Sequence, residues 1–162
     1  MPSSHPKHPT PTLNVVLVEP QIPPNTGNIA RLCAASGCHL ILVGELGFAL
    51  DDAHLRRAGL DYWEHVSWEH VPTIDAFLSS RSGRSLHLLS ARATTAYTQI
   101  PVLPGDCLVF GKETTGLGSE LLDRYPCQCY TIPMVEPGVR SLNLSSAVAV
   151  VVYDALRRLR GF

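Results

Sequence analysis

Short runs of consecutive apolar residues alternate along the chain with amphipathic and turn-rich stretches. Runs that are apolar at nearly every position are typical of strands buried on both faces of a parallel sheet. Such strands are predicted at Leu13–Val18, His39–Val43, Leu86–Ser90, Cys107–Phe110 and Tyr130–Ile132, with a weaker candidate at Tyr62–Trp68.

Helical spacing begins after the first of these strands. Apolar positions of segment 29–36 recur at helical intervals, and Gly37 follows as a natural stop. Asn25-Thr26-Gly27-Asn28 reads as a turn into this helix, and Pro23-Pro24 is expected to prevent an earlier start. Strand, helix and strand within about 30 residues form a βαβ unit, which implies a parallel sheet. Further helices are predicted at Asp51–Ala58, Pro72–Ser80 and Ser119–Leu122.

The stretch from Ile132 to Leu156 contains a polar loop followed by a long apolar run. Ser141, Asn143 and Ser145 stand where that run begins, and each residue type can cap a helix N-terminus. The run is rich in valine but exceeds ordinary strand length, which predicts a helix with most of its faces buried. Backbone N–H groups at such a helix start lack partners and favour an anionic or hydrogen-bonding ligand.

Length and composition indicate one globular domain. The 162 residues suit a single core, here residues 13–162, whereas residues 1–12 hold four prolines and are expected to form a flexible tail. The net charge of -1 means that a nucleic-acid partner must meet a local basic patch. The sequence contains neither a membrane-length apolar stretch nor a secretory signal, which predicts a cytoplasmic protein.

The cysteines and histidines show no metal-binding pattern. Five cysteines occur without a CxxC pair, and seven histidines occur without an HExxH arrangement. We therefore expect reduced, mostly buried thiols and no metal site.

The glycine-rich loop after Phe110 fails both common phosphate-binding motifs. Leu117-Gly118 stands where a Walker loop needs Lys and then Ser or Thr, which disfavours nucleoside triphosphate hydrolysis. Leu121 replaces the third glycine of a dinucleotide fingerprint, which disfavours a nucleotide-cofactor oxidoreductase. The segment is therefore interpreted as a loop at the end of a strand. It contains the acidic residue Glu113 and glycines that let the backbone approach a ligand closely.

Three segments together resemble one known family. They are PPNTGNIARLCAASG (23–37), FGKETTGLG (110–118) and IPMVEPGVRSLNLSSAVAVVVYDAL (132–156). They are similar to the three motifs of the SPOUT class of S-adenosylmethionine-dependent RNA 2′-O-ribose methyltransferases. LRRAGLDYW (55–63) is similar to the branch of this class that modifies cytidine or uridine at tRNA position 34.

The resemblance implies an α/β fold, with a mostly parallel sheet flanked by helices and a C-terminal deep trefoil knot. It also implies a homodimer, S-adenosylmethionine as methyl donor and a tRNA anticodon stem-loop as substrate. The implied cofactor contacts are Leu89, Gly111, Glu113, Ile132, Pro133, Ser141 and Leu142. Alternatives within the class are a different tRNA or ribosomal RNA position, or an inactive knotted protein that only binds RNA.

The resemblance places five residues around the reacting ribose hydroxyl: Asn25, Arg31, Glu113, Ser141 and Asn143. A guanidinium is practically never deprotonated, so we expect Arg31 to bind an RNA phosphate and stabilise the developing alkoxide. A phosphate oxygen or water would then take the proton.

Other roles remain open for these residues. Asn25 would alternatively cap its helix, and Glu113 would cap the helix at Ser119 or pair with Lys112. Ser141 and Asn143 are good caps on general grounds.

Basic residues outside the reacting group are candidates for RNA contact. Arg140 precedes a helix start, where a positive charge opposes the helix dipole, and this favours RNA binding. Arg56 and Arg57 would extend the RNA patch or be ordinary surface charges. Two departures from the family pattern bear on the fit of donor and RNA: a longer loop at Val135–Val139, and Ser146 where Asn is common.

Overall fold

A single parallel sheet forms the centre of the molecule. The computed structural model describes residues 11–51, 53–59 and 63–162, and within them the sheet has six strands. These are β1 Asn14–Val18, β2 His39–Val43, β3 Ser67–Val71, β4 Leu86–Leu89, β5 Cys107–Phe110 and β6 Cys129–Tyr130. Their order is β3-β2-β1-β5-β4-β6, and every neighbouring pair is parallel. The predicted α/β class with a mostly parallel sheet is confirmed.

Helices cover both faces of this sheet. They are α1 Pro23–Ser36, α2 Ala53–Gly59, α3 Ile74–Ser79, α4 Ser119–Arg124 and α5 Leu144–Arg160. α1 packs against α5 on one face, and α2 packs against α1. Phe77 of α3 and Leu122 of α4 belong to the core of the opposite face.

The central strands β1, β2, β4 and β5 are mostly apolar because both of their faces are buried. In β1, Val15 and Leu17 pack into the core beneath α1 and α5, whereas Val16 and Val18 pack into the core beneath α3 and α4. Alternate side chains of a strand point to opposite faces, so a strand covered on both sides needs apolar residues at every position.

The first helix begins earlier than the prolines suggested. α1 starts at Pro23, so Asn25-Thr26-Gly27-Asn28 belongs to the helix and not to a preceding turn. The reason is that the first N–H groups of a helix have no intrahelical acceptor, so proline loses nothing there and its fixed φ favours the helix.

Three other element predictions need correction. Trp63–His65 forms a 3₁₀ turn and β3 begins only at Ser67, while Tyr62 lies outside the described residues. The last strand is Cys129–Tyr130, because Thr131 bridges to Ala96 instead. α5 is not buried on most of its faces, because Val150 and Tyr153 are 37% and 43% exposed.

Both ends of the described chain are tied to the fold. The Thr12 carbonyl accepts a hydrogen bond from the Gly105 N–H at 2.8 Å, and Arg160 Nη2 donates to Thr12 Oγ1 at 2.7 Å. Residues 1–10 of the expected tail lie outside the described residues.

The five cysteines are free thiols, and Cys33, Cys38 and Cys107 are buried. Burial raises the pKa of Cys33 well above its usual value and raises the pKa of Cys107 to about 11. Within the described residues, no group of three or more histidine, cysteine or acidic side chains could hold a metal ion. No helix in the same residues combines the length and the apolar character needed to cross a membrane.

Candidate active site

A cavity of about 730 Å³ lies at the carboxyl ends of β4 and β5, where Leu89 and Phe110 contribute to its wall. Its other walls come from the glycine loop 111–116 and from the residues that lead into α5. In open parallel sheets, ligands bind outside the carboxyl ends of the strands near the point where the strand order reverses. Here the order reverses between β1 and β5.

Most of the predicted cofactor contacts line this cavity. They are Leu89, Gly111, Glu113, Ile132, Ser141 and Leu142. Pro133 is exposed and does not line it. Gly111 permits a close backbone crossing, because a Cβ at this position would lie 2.1 Å from both the Gly116 carbonyl carbon and the Leu117 nitrogen. The wall at this point therefore requires glycine.

Two asparagines join the N-termini of α1 and α5 at the cavity. Asn143 Nδ2 donates to Asn25 Oδ1 at 3.1 Å, across 118 residues of sequence. Asn143 is the cap of α5, since its Oδ1 accepts from the Ser145 N–H at 3.0 Å. Asn25 does not cap α1, whose N-cap is Ile22 without a side-chain cap bond. Asn25 is nevertheless buried and aimed at the partner helix.

The orientation of both amides follows from one backbone group. A backbone N–H can only donate, so the Ser145 N–H requires the oxygen of Asn143 and turns its nitrogen toward Asn25. Asn25 Oδ1 is then the acceptor of that bond. Within the described residues, the Asn25 Nδ2 group has no acceptor and remains available to donate to an oxygen of a ligand.

Glu113 holds the start of α1. Its carboxylate accepts from the Ile22 N–H at 2.6 Å and from the Gln21 N–H at 3.0 Å. Both expected alternatives are wrong, because α4 has no side-chain cap and Lys112 pairs elsewhere. Glu113 thereby connects the cofactor loop to the helix that carries Asn25.

Two further contacts reinforce this connection, and we call Glu113 together with the four residues of these contacts the clasp. Lys112 Nζ lies 2.9 Å from Glu19 Oε2, and Thr114 Oγ1 donates to Gln21 Oε1 at 2.7 Å. Glu19 has a φ of 51°, a conformation that is uncommon for residues other than glycine. Strained backbone of this kind persists where surrounding contacts hold it, often at functional sites.

The predicted basic residues are not all at the cavity. Arg140 lines it and is exposed. Arg31 is exposed on α1, and Arg56 and Arg57 are exposed on α2, but none of the three lines the cavity. Arg92, which belongs to none of the sequence motifs, does line it. Its position just beyond strand β4, at the carboxyl edge of a parallel sheet, was the available signal.

The chain matches one protein family over residues 12–153, the SpoU rRNA Methylase family. It is 49% identical to a tRNA (cytidine(34)-2′-O)-methyltransferase of Escherichia coli strain K12, over 91% of this chain and 94% of the relative. It is also 49% identical to the enzyme of the same name from Yersinia pestis, with the same shares covered.

Solved structures agree with this match. One, from a structural study of the 2-OH methylation of C/U34 on tRNA, has a TM-score of 0.86 and 43% identity and covers 93% of this chain and 97% of that chain. An AdoMet-bound rRNA methyltransferase from Sinorhizobium meliloti has a TM-score of 0.80 and 26% identity, covering 96% of this chain and 59% of that chain.

Proposed function

Because the chain belongs to the SpoU rRNA methylase family, we propose that it methylates the ribose 2′-hydroxyl of cytidine or uridine 34 in tRNA. Its methyl donor is S-adenosylmethionine, the ligand of its structural relative from Sinorhizobium meliloti. The observation that carries the proposal is the cavity in which the glycine loop 111–116 meets the Asn25–Asn143 pair. It brings a cofactor-sized space next to hydrogen-bonding groups that can hold a hydroxyl.

The residues at this cavity fit the methyl donor. Leu89, Ile132 and Leu142 offer apolar surface for an adenine ring, and Gly111 leaves room for close backbone contact. The volume of about 730 Å³ lies within the range of small-molecule sites. When bound, the cofactor supplies an electrophilic methyl group on a sulfonium, which becomes a thioether as the ribose oxygen takes the methyl.

Asn25 and Ser141 are suited to orient the ribose hydroxyl. Asn25 donates from its amide nitrogen, since its oxygen is occupied by Asn143. Ser141 lies in the same wall and can donate or accept. An amide N–H cannot remove a proton but stabilises the negative charge that develops on the 2′-oxygen. Holding the oxygen in line with the methyl group supplies much of the rate.

The proton of the hydroxyl passes to water or to an RNA phosphate oxygen. Glu113 is a poor candidate for a base, because its carboxylate already accepts hydrogen bonds from two backbone N–H groups. Arg31 carries a permanent charge and serves as a phosphate contact on the exposed face of α1. Arg140 at the cavity, and Arg56 and Arg57 on α2, are the other candidate phosphate contacts.

We also propose that the working unit is a homodimer. The exposed apolar side chains Val139, Leu142, Val150 and Tyr153 lie on α5 and the loop before it. Apolar surface of this kind on a helix face favours burial against a second copy. The C-terminal trefoil knot and a cytoplasmic location likewise stay predictions that accompany this assignment.

The decisive experiment incubates the pure protein with methyl-labelled S-adenosylmethionine and bulk tRNA, followed by mapping of the labelled nucleotide. We expect 2′-O-methylation of cytidine or uridine 34, and a large loss of activity in Asn25→Ala at unchanged cofactor affinity. Label at a different tRNA position or only in ribosomal RNA would show that the substrate is a different nucleotide. Cofactor binding without transfer to any RNA would contradict the enzymatic assignment.

A further inference from the structure

A second, smaller cavity adjoins the cofactor cavity. It has a volume of about 300 Å³ and lies between the segment that follows β4 and helix α4. Ser90 and Arg92 line both cavities, so the two spaces adjoin at these residues. None of the residues assigned above to cofactor, catalysis or RNA lines the smaller one.

The lining of the second cavity is rich in polar groups. Its polar side chains are Ser90, Arg92, Thr94, Thr95, Ser119 and Asp123. Hydroxyl groups can both donate and accept, and the guanidinium only donates. The set is therefore complementary to a ligand that carries an oxyanion together with hydroxyl or amino groups.

The backbone that carries Arg92 is held firmly. The Ser90 N–H donates to the Tyr130 carbonyl at 2.9 Å, and Ser90 Oγ accepts from the Arg92 N–H at 3.1 Å. The Thr131 N–H donates to the Thr95 carbonyl at 2.8 Å. These hydrogen bonds hold the backbone of the segment after β4 in place beside both cavities.

Two opposite charges face this cavity without neutralising each other. In the part of the chain that the structure describes, neither the Arg92 guanidinium nor the Asp123 carboxylate forms an ion pair or a side-chain hydrogen bond. By contrast, Lys112 in the cofactor wall is paired with Glu19. Arg92 and Asp123 therefore remain available to a ligand.

We propose that this cavity binds the nucleotide next to the methylated one, with Arg92 on its phosphate and Asp123 on a hydroxyl or amino group. The proposal rests on the function proposed above, because it requires an RNA strand at the cofactor cavity. The neighbouring phosphate is bonded directly to the target ribose, so an oxyanion must lie within one nucleotide of the reacting hydroxyl. Arg92 is the basic residue that both cavities share. Proteins commonly recognise single-stranded RNA by binding nucleotides whose bases are unstacked from their neighbours.

The first test replaces Arg92 by Gln and by Lys. Direct binding of tRNA should weaken roughly fivefold in Arg92→Gln, and the slope of log affinity against log salt should fall by about 0.7, the value for one phosphate contact on a single strand. Arg92→Lys should retain the slope. Arg84→Gln is the matched control, because Arg84 is an exposed arginine before β4, at the opposite end of the strand.

The oxyanion at Arg92 is either an RNA phosphate or the carboxylate of S-adenosylmethionine, and the affinity for S-adenosylmethionine distinguishes the two. We expect it to be unchanged in Arg92→Gln, which would also show that the cofactor cavity is intact. Weaker cofactor binding with an unaltered salt slope would instead place the cofactor carboxylate at Arg92 and overturn the proposal. Behaviour identical to Arg84→Gln would overturn it as well.

The second test measures the direction in which the KM for tRNA changes when the negative charge of Asp123 is removed. Removing a carboxylate near RNA normally lowers KM or leaves it unchanged, because repulsion decreases. Asp123→Asn should instead raise the KM for tRNA severalfold if the carboxylate accepts a hydrogen bond from the neighbouring nucleotide. Glu120→Gln is the control on the same helix, since Glu120 is exposed and does not line the cavity.

The wild-type measurement keeps the two proposals distinguishable. Absence of tRNA methylation by the wild-type protein would defeat the proposed function itself. Methylation by the wild type, with Asp123→Asn matching Glu120→Gln and Arg92→Gln matching Arg84→Gln, would defeat only the neighbouring-nucleotide site.

Discussion

Gly111 shows how one hydrogen atom in place of a methyl group shapes the site. The backbone of Gly116 and Leu117 crosses so close to its Cα that no side chain can be placed there. This crossing forms the cofactor wall, so the residue acts through close approach and not through a special φ. Glycine is needed where two backbone segments meet in this way.

Gly111→Ala should therefore lose both stability and cofactor binding. Overpacking of this kind typically costs about 1–3 kcal/mol, and backbone atoms at 2.1 Å argue for the upper part of that range. Urea unfolding and calorimetric titration with S-adenosylmethionine would measure the two effects. Gly138→Ala is the control, because a Cβ there would meet only Glu136 Oε1, at an ordinary contact distance of 3.5 Å. Equal behaviour of the two variants would contradict the argument.

At the scale of elements, the clasp connects the loop after β5 with the segment between β1 and α1. Glu113 holds the N-terminus of α1, while Lys112 and Thr114 bind Glu19 and Gln21. The loop that lines the cofactor cavity and the helix that carries Asn25 are thus positioned by the same contacts. We expect breakage of the clasp to affect catalysis more than folding.

A double-mutant cycle on Glu19 and Lys112 tests this coupling. Both side chains are about one third exposed, so their coupling in stability should be at most about 1 kcal/mol. Lys112→Met and Glu19→Gln should each lower kcat, and the double variant should be little worse than either single one. Arg157→Gln breaks the Arg157–Asp154 pair on α5 and serves as the control. Additive losses in kcat would show that the two residues act independently.

Elements buried on both faces were predictable from the sequence, whereas those set by tertiary contacts were not. The bounds of β2 and β5 match the prediction because every residue in them is apolar or buried. The local pattern places the start of α1 too late, because proline disrupts helix interiors but is favoured in the first turn. β6 is shorter than predicted because Thr131 pairs with Ala96, a partner that no local pattern reveals.

The candidate site was predictable only to the level of the residues that line it. Asn143 was among three capping candidates, and the hydrogen bond to Asn25 depends on how α1 and α5 pack. Arg92 had no motif of its own, and its role emerges from the position of β4 beside β5 and β6. Long-range contacts of this kind are set by the whole fold.

At the scale of the whole molecule, α5 leaves apolar side chains in solvent. Val150 and Tyr153 lie on successive turns of the helix and are not covered by the core that holds Val148 and Val152. A helix with apolar residues beyond its core-facing stripe is suited to an additional packing partner.

Val150→Glu should therefore convert a dimer into a monomer, because a charge in an apolar interface is costly to desolvate. Light scattering coupled to gel filtration at micromolar concentration would measure the change in mass. Leu103→Glu is the matched control: Leu103 is 65% exposed and lies in the loop before β5, away from α5. A wild-type monomer, or a dimer that persists in Val150→Glu, would contradict the proposed assembly.

The bond between Asn25 and Asn143 has a consequence for how the protein is made. One wall of the reaction chamber comes from α1 and the other from the start of α5, 118 residues later in the chain. A polypeptide still emerging from the ribosome lacks the closing helix and has no complete chamber. Products that terminate before α5 should accordingly be inert toward donor and acceptor alike.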